Sequence, residues 1–250
     1  MIPKHIYQIY ISNDDISDDI KKNTDNILSK CPGWEYTMFR ENDIVDFIER
    51  NYGIDYLKTY NSINCSYPAA RADFFRYLLM YEMGGLYLDL RAGLTKNIDD
   101  IIQPSTEYVL LHWGDNMEGG FMRRGRWRSR PMTSSVIPGS PHGEFIQGII
   151  VSTPKHVFLK AVIDSVELNI KQYDIGTAGR AAVLNTTGPV AYTKSIINYI
   201  QEKGESLTGI DTYTSYIKAG FKVRAIPQTR QIFNANHYSE IQEPLINKNI

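Results

Sequence analysis

Three residues in one stretch of the chain, Asp73, Arg76 and Asp89, have the types and spacing of a site for polar ligands. On a helix, Asp73 and Arg76 are three positions apart and project from one face. Asp89 ends an apolar run, and ligands of open α/β sheets bind beyond the carboxyl ends of the strands. A carboxylate there can bind sugar hydroxyls or a metal ion that neutralises a diphosphate. Spacing alone fits a surface ion pair of about 0.2 to 0.5 kcal/mol equally well.

The elements around these residues indicate how they are positioned. A helix is predicted over Pro68 to Met83, since proline is tolerated in a first helical turn and Gly84-Gly85 provide a stop. The apolar run from Leu86 to Leu90 is predicted to be a buried strand. The helix and the strand therefore bring all three side chains to one end of a sheet.

The rest of the chain alternates strands and helices, which is typical of an α/β layer fold with a largely parallel central sheet. Strands are predicted over 5–11, 34–39, 108–113 and 145–152, and helices over 18–30, 42–51, 156–172 and 190–203. The tail from 212 to 250 mixes short strands with a polar terminus. The segment 114–143 is rich in Gly and Arg, and a loop of that length predicts a mobile lid or binding loop.

Composition restricts the class of protein. A chain of 250 residues with 22% charged residues and a net charge of -1 is expected to form a single domain that does not bind nucleic acid. Binding of nucleic acid through the arginines of 123–130 around Trp127 is an alternative, because such a patch can contact phosphates and stack a base. A basic patch in a neutral chain is more often a phosphate lid or a solvated face. Without a run of roughly 18 to 20 apolar residues or a signal peptide, no transmembrane segment and a cytoplasmic location are expected.

Three segments resemble the sugar-binding region of the DXD glycosyltransferases, specifically glycosyltransferase family 32. These are Ile2 to Tyr10, Ala69 to Tyr77 and Tyr81 to Arg91, which correspond to an I-P-K strand, an A-x-x-[SA]-D-x-x-R helix and a G-G-x-Y-x-D turn. The family includes fungal α-1,6-mannosyltransferases and is related to the glucosylating domains of large clostridial toxins. A nicotinamide-dependent oxidoreductase is disfavoured, because no G-x-G-x-x-G follows the first strand.

The resemblance implies a GT-A fold, with a Rossmann-like half for the nucleotide, and a role for each matching residue. Asp73 and Arg76 would bind hydroxyls of the donor sugar, and Tyr87 would flank the donor. Asp89 matches the first acid of the DXD motif. The base pocket would be lined by Ile9 and Tyr10, and a Mn²⁺ or Mg²⁺ ion would be held by Asp89 and His237.

Arg91 departs from the pattern, because the family usually has its second acid there. A guanidinium pairs with phosphate in bidentate fashion, so Arg91 can replace the metal ion and stabilise the leaving diphosphate. The alternative is a metal ion held by Asp89 and His237.

The implied reaction moves a hexose from a UDP- or GDP-sugar to a glycan, a polysaccharide or another hydroxyl acceptor, with retention of configuration. Glu144 and Gln147 are predicted to contact the acceptor or the anomeric centre. Because of Arg91, a protein that binds sugar nucleotides with lost or only hydrolytic activity is the alternative function.

Overall fold

The structure, a computed structural model, describes residues 1–12, 14–113, 144–204, 208–226 and 241–247, and the backbone of 121–123 and 126–128. The helices of this part are α1 (Asp18–Ser29), α2 (Glu41–Tyr52), α3 (Ile54–Ser62), α4 (Pro68–Met83), α5 (Val157–Lys171), α6 (Gly179–Thr186), α7 (Pro189–Lys203) and α8 (Tyr216–Ala219). The strands are β1 (His5–Ile9), β2 (Glu35–Phe39), β3 (Gly85–Leu88), β4 (Gly93–Leu94), β5 (Tyr108–Leu111), β6 (Phe121–Arg123), β7 (Arg126–Arg128), β8 (Ile149–Ser152), β9 (Ile210–Tyr213) and β10 (Phe221–Lys222). Among these helices, none has the length and apolar composition needed to cross a bilayer.

A six-stranded sheet in the order β2-β1-β3-β8-β5-β9 forms the centre of the fold. Strand β1 pairs in parallel with β2 and β3, and β5 pairs in parallel with β9. Strand β8 runs antiparallel to β3 and β5. The predicted α/β fold with a mostly parallel central sheet flanked by helices is therefore confirmed.

Both faces of the sheet are buried at the strands β3, β8 and β5, which therefore read as nearly continuous apolar runs. Tyr87 and Ile150 point to one face, where they pack in a core formed with helices α2 to α7. Leu86, Leu88 and Val151 point to the other face, where they pack with α1, β4, α8 and β10. The alternation places Tyr87 on the face that α4 covers.

The connection from α4 to β3 requires glycine. The backbone of Gly84 and Gly85 has φ of 63° and 93°, a region that side chains disfavour. A Cβ atom on Gly84 would lie 2.6 Å from atoms of Pro154. The chain therefore passes from helix to strand without a loop, and the predicted bounds of α4 are correct.

Several predicted elements were wrong in extent. The strand predicted over 145–152 begins only at Ile149, because Gln147 turns out of the sheet toward α4, where its carbonyl accepts from Arg76 and its amide donates to Asp73. The first strand ends at Ile9 rather than at residue 11, and the strand predicted over 108–113 ends at Leu111. Helices α3 and α6 were not predicted. Gly53, between α2 and α3, has a φ of 80°. A glycine at such a position is a signal for the end of a helix, so nothing in the sequence indicated that a second helix begins directly after it.

The Gly/Arg-rich segment at 114–143 lies almost entirely outside the described residues. Within it the structure describes the two short strands β6 and β7, which pair antiparallel as a hairpin. The mobility of this segment stays a prediction.

The N-cap of α5 makes folding dependent on pH. His156 caps the helix, because its Nδ1 accepts from the backbone N–H of Phe158 at 3.3 Å, and burial lowers the pKa of His156 to about 4. An unfolded histidine binds a proton near pH 6.5, so the unfolded state gains the proton first as the pH falls. We expect the free energy of unfolding to fall between about pH 6.5 and 4, by up to about 1.4 kcal/mol per pH unit from this group.

Urea denaturation at several pH values measures this slope. His156→Asn keeps a side-chain oxygen that can cap the helix, so this variant should lose this group's share of the slope. Equal slopes in the two proteins would contradict the prediction.

Candidate functional site

Helix α4 carries two opposite charges in its buried part. Asp73 and Arg76 are each less than 5% exposed, and Arg76 Nη2 lies 2.8 Å from Asp73 Oδ1. The predicted pair on one face of the helix is therefore present, but it lies in the interior. Because buried charges are expensive unless they are paired and hydrogen-bonded, the surroundings of this pair decide what it does.

Arg76 links two carboxylates. Its Nη1 lies 3.0 Å from Asp89 Oδ1 and donates to the carbonyl of Gln147 at 3.3 Å, while its guanidinium lies 5.0 Å above the centre of the Tyr87 ring. Burial opposes the charge of Arg76, but Asp89, Tyr87 and Asp73 raise its pKa above the ordinary value. Arg76 is thus a permanent cation that holds Asp73 and Asp89 on either side.

Asp73 is enclosed by hydrogen-bond donors. Gln147 Nε2 donates to its Oδ1 at 3.0 Å, and Thr187 Oγ1 donates to its Oδ2 at 3.2 Å. Burial raises the pKa of Asp73 to about 7, although Arg76 acts in the opposite direction. Direct contact of Asp73 with donor hydroxyls stays a prediction, since in this structure its oxygens are bonded to protein groups.

Tyr77 closes the same network. Its hydroxyl contacts Gln147 Oε1 and donates to the carbonyl of Thr187 at 2.8 Å. Sequence reasoning assigned Gln147 to the site but gave no role to Tyr77 or Thr187. Tyr77 is the last residue of the segment Ala69 to Tyr77 that resembles the family, and this was the available signal for it.

Asp89 is the accessible carboxylate of the cluster, with 45% of its side chain exposed. It directly follows β3, and Tyr87 donates to its Oδ1 at 2.8 Å. Its backbone N–H donates to the carbonyl of Gly148 at 2.8 Å, so the end of β3 is held against the start of β8. The predicted position of Asp89 beyond the carboxyl end of a central strand is therefore found, with one face of the carboxylate held and the rest open.

Arg91 lies on the turn that follows Asp89. Its Nε and Nη2 donate to the carbonyl of Ile226 at 3.3 Å, and its own carbonyl accepts from Ala225 N–H at 2.6 Å. Burial and the charge of Arg224 lower the pKa of Arg91, while Asp89 acts in the opposite direction. The guanidinium thus lies between the Asp89 turn and the segment that follows β10.

The described residues do not fit a divalent cation. Asp89 Oδ1 already accepts a hydrogen bond from Tyr87 and pairs with Arg76. The second acid of the motif is replaced by the cation Arg91. Across the described ranges, no group of three or more His, Cys, Asp or Glu side chains has the arrangement of a metal site. His237, the other predicted ligand, lies outside those ranges.

The remaining predicted site residues are Ile9, Tyr10 and Glu144. Ile9 is buried in the core with α4, and Tyr10 packs against Leu90 with Arg40 4.6 Å above its ring centre. Glu144 is buried three residues before Gln147. The nucleoside role of Ile9 and Tyr10 and the acceptor role of Glu144 stay predictions.

Comparison with known proteins bears on the part of the cluster that α4, β3 and the following turn carry. Residues 17–108 match the family model of the glycosyltransferase sugar-binding region containing the DXD motif, and this range includes Asp73, Arg76, Tyr87, Asp89 and Arg91. The chain is 31% identical over 102 residues to mannosyl phosphorylinositol ceramide synthase SUR1 of Saccharomyces cerevisiae, a match that covers 41% of this chain and 26% of that protein.

Two further relatives extend the likeness. An uncharacterised glycosyltransferase, L373, of Acanthamoeba polyphaga mimivirus is 31% identical over 103 residues, which cover 41% of this chain and 40% of that protein. Inositol phosphoceramide mannosyltransferase 2 of Schizosaccharomyces pombe is 22% identical over 205 residues, which cover 81% of this chain and 47% of that protein. The matches therefore span less than half of each relative's length.

Among solved structures, PaToxG glycosyltransferase superposes with a TM-score of 0.51 at 15% identity, covering 80% of this chain and 70% of that one. This likeness concerns the fold, and with the sheet topology it confirms the expected GT-A fold. The predicted resemblance to the DXD glycosyltransferases is confirmed as well, and residues 17–108 of this chain match their sugar-binding region.

Proposed function

We propose that this protein transfers a hexose from a nucleotide-activated donor to a hydroxyl group of an acceptor. The observation that carries the proposal is the half-exposed Asp89 carboxylate, held by Arg76 and Tyr87 beyond the carboxyl end of β3. The comparison that supports the proposal is the family match, whose range includes Asp73, Arg76, Tyr87 and Asp89.

The charges of the cluster suit this reaction. In the transfer, the bond between the anomeric carbon and the phosphate oxygen breaks, and a bond from the acceptor oxygen to that carbon forms. Positive charge develops on the sugar and negative charge on the leaving diphosphate, and fixed charges aimed at them lower the barrier. Asp89 faces the sugar in this proposal, and Arg91 lies on the adjacent turn on the side of the diphosphate.

The proton of the acceptor hydroxyl passes to an oxygen of the departing diphosphate, so no protein base is required. This path retains the anomeric configuration, as the family resemblance implies. Asp73 acts mainly through Arg76, because its own oxygens are occupied by Gln147 and Thr187.

The identity of the donor is tested by calorimetry with a panel of UDP- and GDP-sugars. GDP-mannose comes first, because several relatives are named for mannosyl transfer. Acceptor tests begin with inositol phosphoceramide, named in three relatives, and continue with oligosaccharides. We expect one donor to bind and its sugar to appear on an acceptor by mass spectrometry, whereas failure of every donor to bind would overturn the proposal.

Asp73→Asn tests whether the charged cluster contributes to binding of the donor. This variant removes the charge that orients Arg76, and hydrogen bonds to charged groups contribute about 1.5 to 3 kcal/mol. We therefore expect the donor to bind roughly 10- to 100-fold more weakly. Asp164→Asn, on the exposed face of α5 where Asp164 pairs with Lys160, is the matched control and should bind like the native protein. Equal donor affinity in both variants would contradict a role for Asp73.

The alternative of donor binding without productive transfer is favoured by one observation, the arginine at position 91. Release of free sugar in the presence of every acceptor would support it, and transfer to any acceptor would exclude it.

A further inference from the structure

The turn that carries Asp89 is held by a side chain of a distant helix. Residues 89 to 92 form a tight turn, in which the N–H of Ala92 donates to the carbonyl of Asp89 at 2.7 Å. The amide nitrogen of Asn23, in α1, donates to the carbonyl of Leu90 at 3.1 Å and to that of Ala92 at 2.8 Å. One side chain of α1 thus binds two carbonyls of the turn.

Asn23 suits this position because its amide nitrogen carries two hydrogens. Both contacts are to carbonyl oxygens, so the nitrogen is the atom that faces the turn, and each hydrogen serves one carbonyl. A carboxylate has no hydrogen to donate, and a hydroxyl has one. The side chain is only 5% exposed. Gly93 leaves room for it, because a Cβ atom at that position would lie 3.4 Å from Asn23 Oδ1.

A second buried amide holds the start of the turn. Gln8, in β1, is fully buried, and its Oε1 accepts from the hydroxyls of Tyr36 at 2.9 Å and Thr24 at 3.2 Å. These two bonds fix the orientation of the amide, so its Nε2 faces the carbonyl of Asp89 and donates to it at 3.4 Å. Thr24 directly follows Asn23 on α1. The turn is therefore attached to both α1 and β1.

This support matters because Asp89 is half-exposed. Tyr87 and Arg76 hold one oxygen of its carboxylate, whereas Asn23 and Gln8 hold the backbone from which the side chain extends. A reacting group must stay within about 0.5 Å of its productive position, and hydrogen bonds from surrounding residues provide this precision. The two buried amides give the turn a single backbone geometry.

We propose that Asn23 is a positioning residue for sugar transfer, which holds the turn at 89–92 so that the Asp89 carboxylate contacts the donor sugar. The inference rests on the proposed function, because it assigns a support to the carboxylate that faces the sugar there. No sequence pattern singled out Asn23, since its partners lie 67 and 69 residues further along the chain. Asn23 acts through the backbone of the turn, with Gln8 as a second support.

The test is a double-mutant cycle in which donor affinity is measured by calorimetry. The probe is GDP-mannose, or the UDP- or GDP-sugar of the panel that binds. Asn23→Leu keeps the size of the side chain and removes both hydrogen bonds, and we expect the donor to bind about 10-fold more weakly. In the Asp89→Ala protein, the same substitution should change affinity by less than about twofold, because the carboxylate that Asn23 positions is absent.

The control is Asn26→Leu on the same helix, where the exposed Asn26 amide accepts from Lys30 at 3.0 Å. This variant should bind the donor like the native protein. Circular dichroism checks that each variant folds. If Asn23→Leu does not fold, Asn23→Ala takes its place in the cycle, because alanine favours the helix and leaves room for water beside the two carbonyls.

Calorimetry also separates positioning from a purely structural role. A partly unfolded variant would show fewer binding sites per chain at unchanged affinity, and this result would overturn the role of Asn23. Equal affinity of Asn23→Leu and the native protein, or an equal loss in the Asp89→Ala background, would do the same and leave sugar transfer intact. Failure of every donor to bind the native protein would instead overturn the proposed function, and the inference with it.

Discussion

Replacing Arg76 with methionine is expected to lower the free energy of unfolding by about 3 to 5 kcal/mol, because it leaves the buried Asp73 without its countercharge. The two groups lie 2.8 Å apart, and each side chain is only 5% exposed. Arg76 also lowers the pKa of Asp73, so its loss should raise that pKa further and favour a protonated Asp73. Transfer should fall about 100- to 1000-fold, since Asp89 loses the cation that holds it.

Urea denaturation and initial rates of transfer measure the two effects separately. Arg71→Met is the control on the same helix, because Arg71 pairs with Glu41 in a more exposed place, with side-chain exposures of 15% and 30%. This control should destabilise the protein less and leave transfer nearly unchanged. Adding Asp73→Asn to Arg76→Met should recover part of the lost stability but not the activity. A loss below about 1 kcal/mol with full activity would contradict the role of Arg76.

Gly148→Ala is expected to reduce transfer about 100-fold while changing stability little. The new Cβ atom would lie 3.0 Å from Asp89 Cγ and closer still to Oδ2. The carboxylate is the end of a flexible, half-exposed side chain, so it can move away at a low cost in folding. Such a movement breaks its contacts with Arg76 and Tyr87, and a misplacement of about 1 Å at a reacting centre costs about 100-fold in rate.

The same assays test this prediction, with Gly176→Ala as the matched control. There the added Cβ would lie 3.3 Å from Asp174 Oδ1, so it meets another aspartate, in a loop before α6. Both substitutions should have similar thermal unfolding, and only Gly148→Ala should lose activity. Normal transfer by Gly148→Ala would mean that the position of the Asp89 carboxylate is not critical.

Much of the fold was predictable, because its signals are local. Pro68 and the pair Gly84-Gly85 bounded α4 correctly, since proline fixes its own φ and glycine permits a positive one. Strand ends were less predictable. Phe145 and Gln147 belong to an apolar run that resembles a strand, but Gln147 leaves the sheet to bond with Asp73 and Arg76.

The candidate site also has a part that local sequence predicts and a part that only the packing of distant segments decides. The spacing of Asp73 and Arg76 along one helix, and the short passage from α4 to Asp89, follow from the sequence, because helix periodicity and a two-glycine stop act over a few residues. The order of strands and their register bring Gln147 and Thr187 to the site from 58 and 98 residues beyond Asp89, and no local pattern encodes such contacts. The same register shows that Asp73 is enclosed and that Arg91 lies against the segment after β10. Residue types and local spacing thus defined the class of chemistry, and the packing of distant segments defined which groups can reach a ligand.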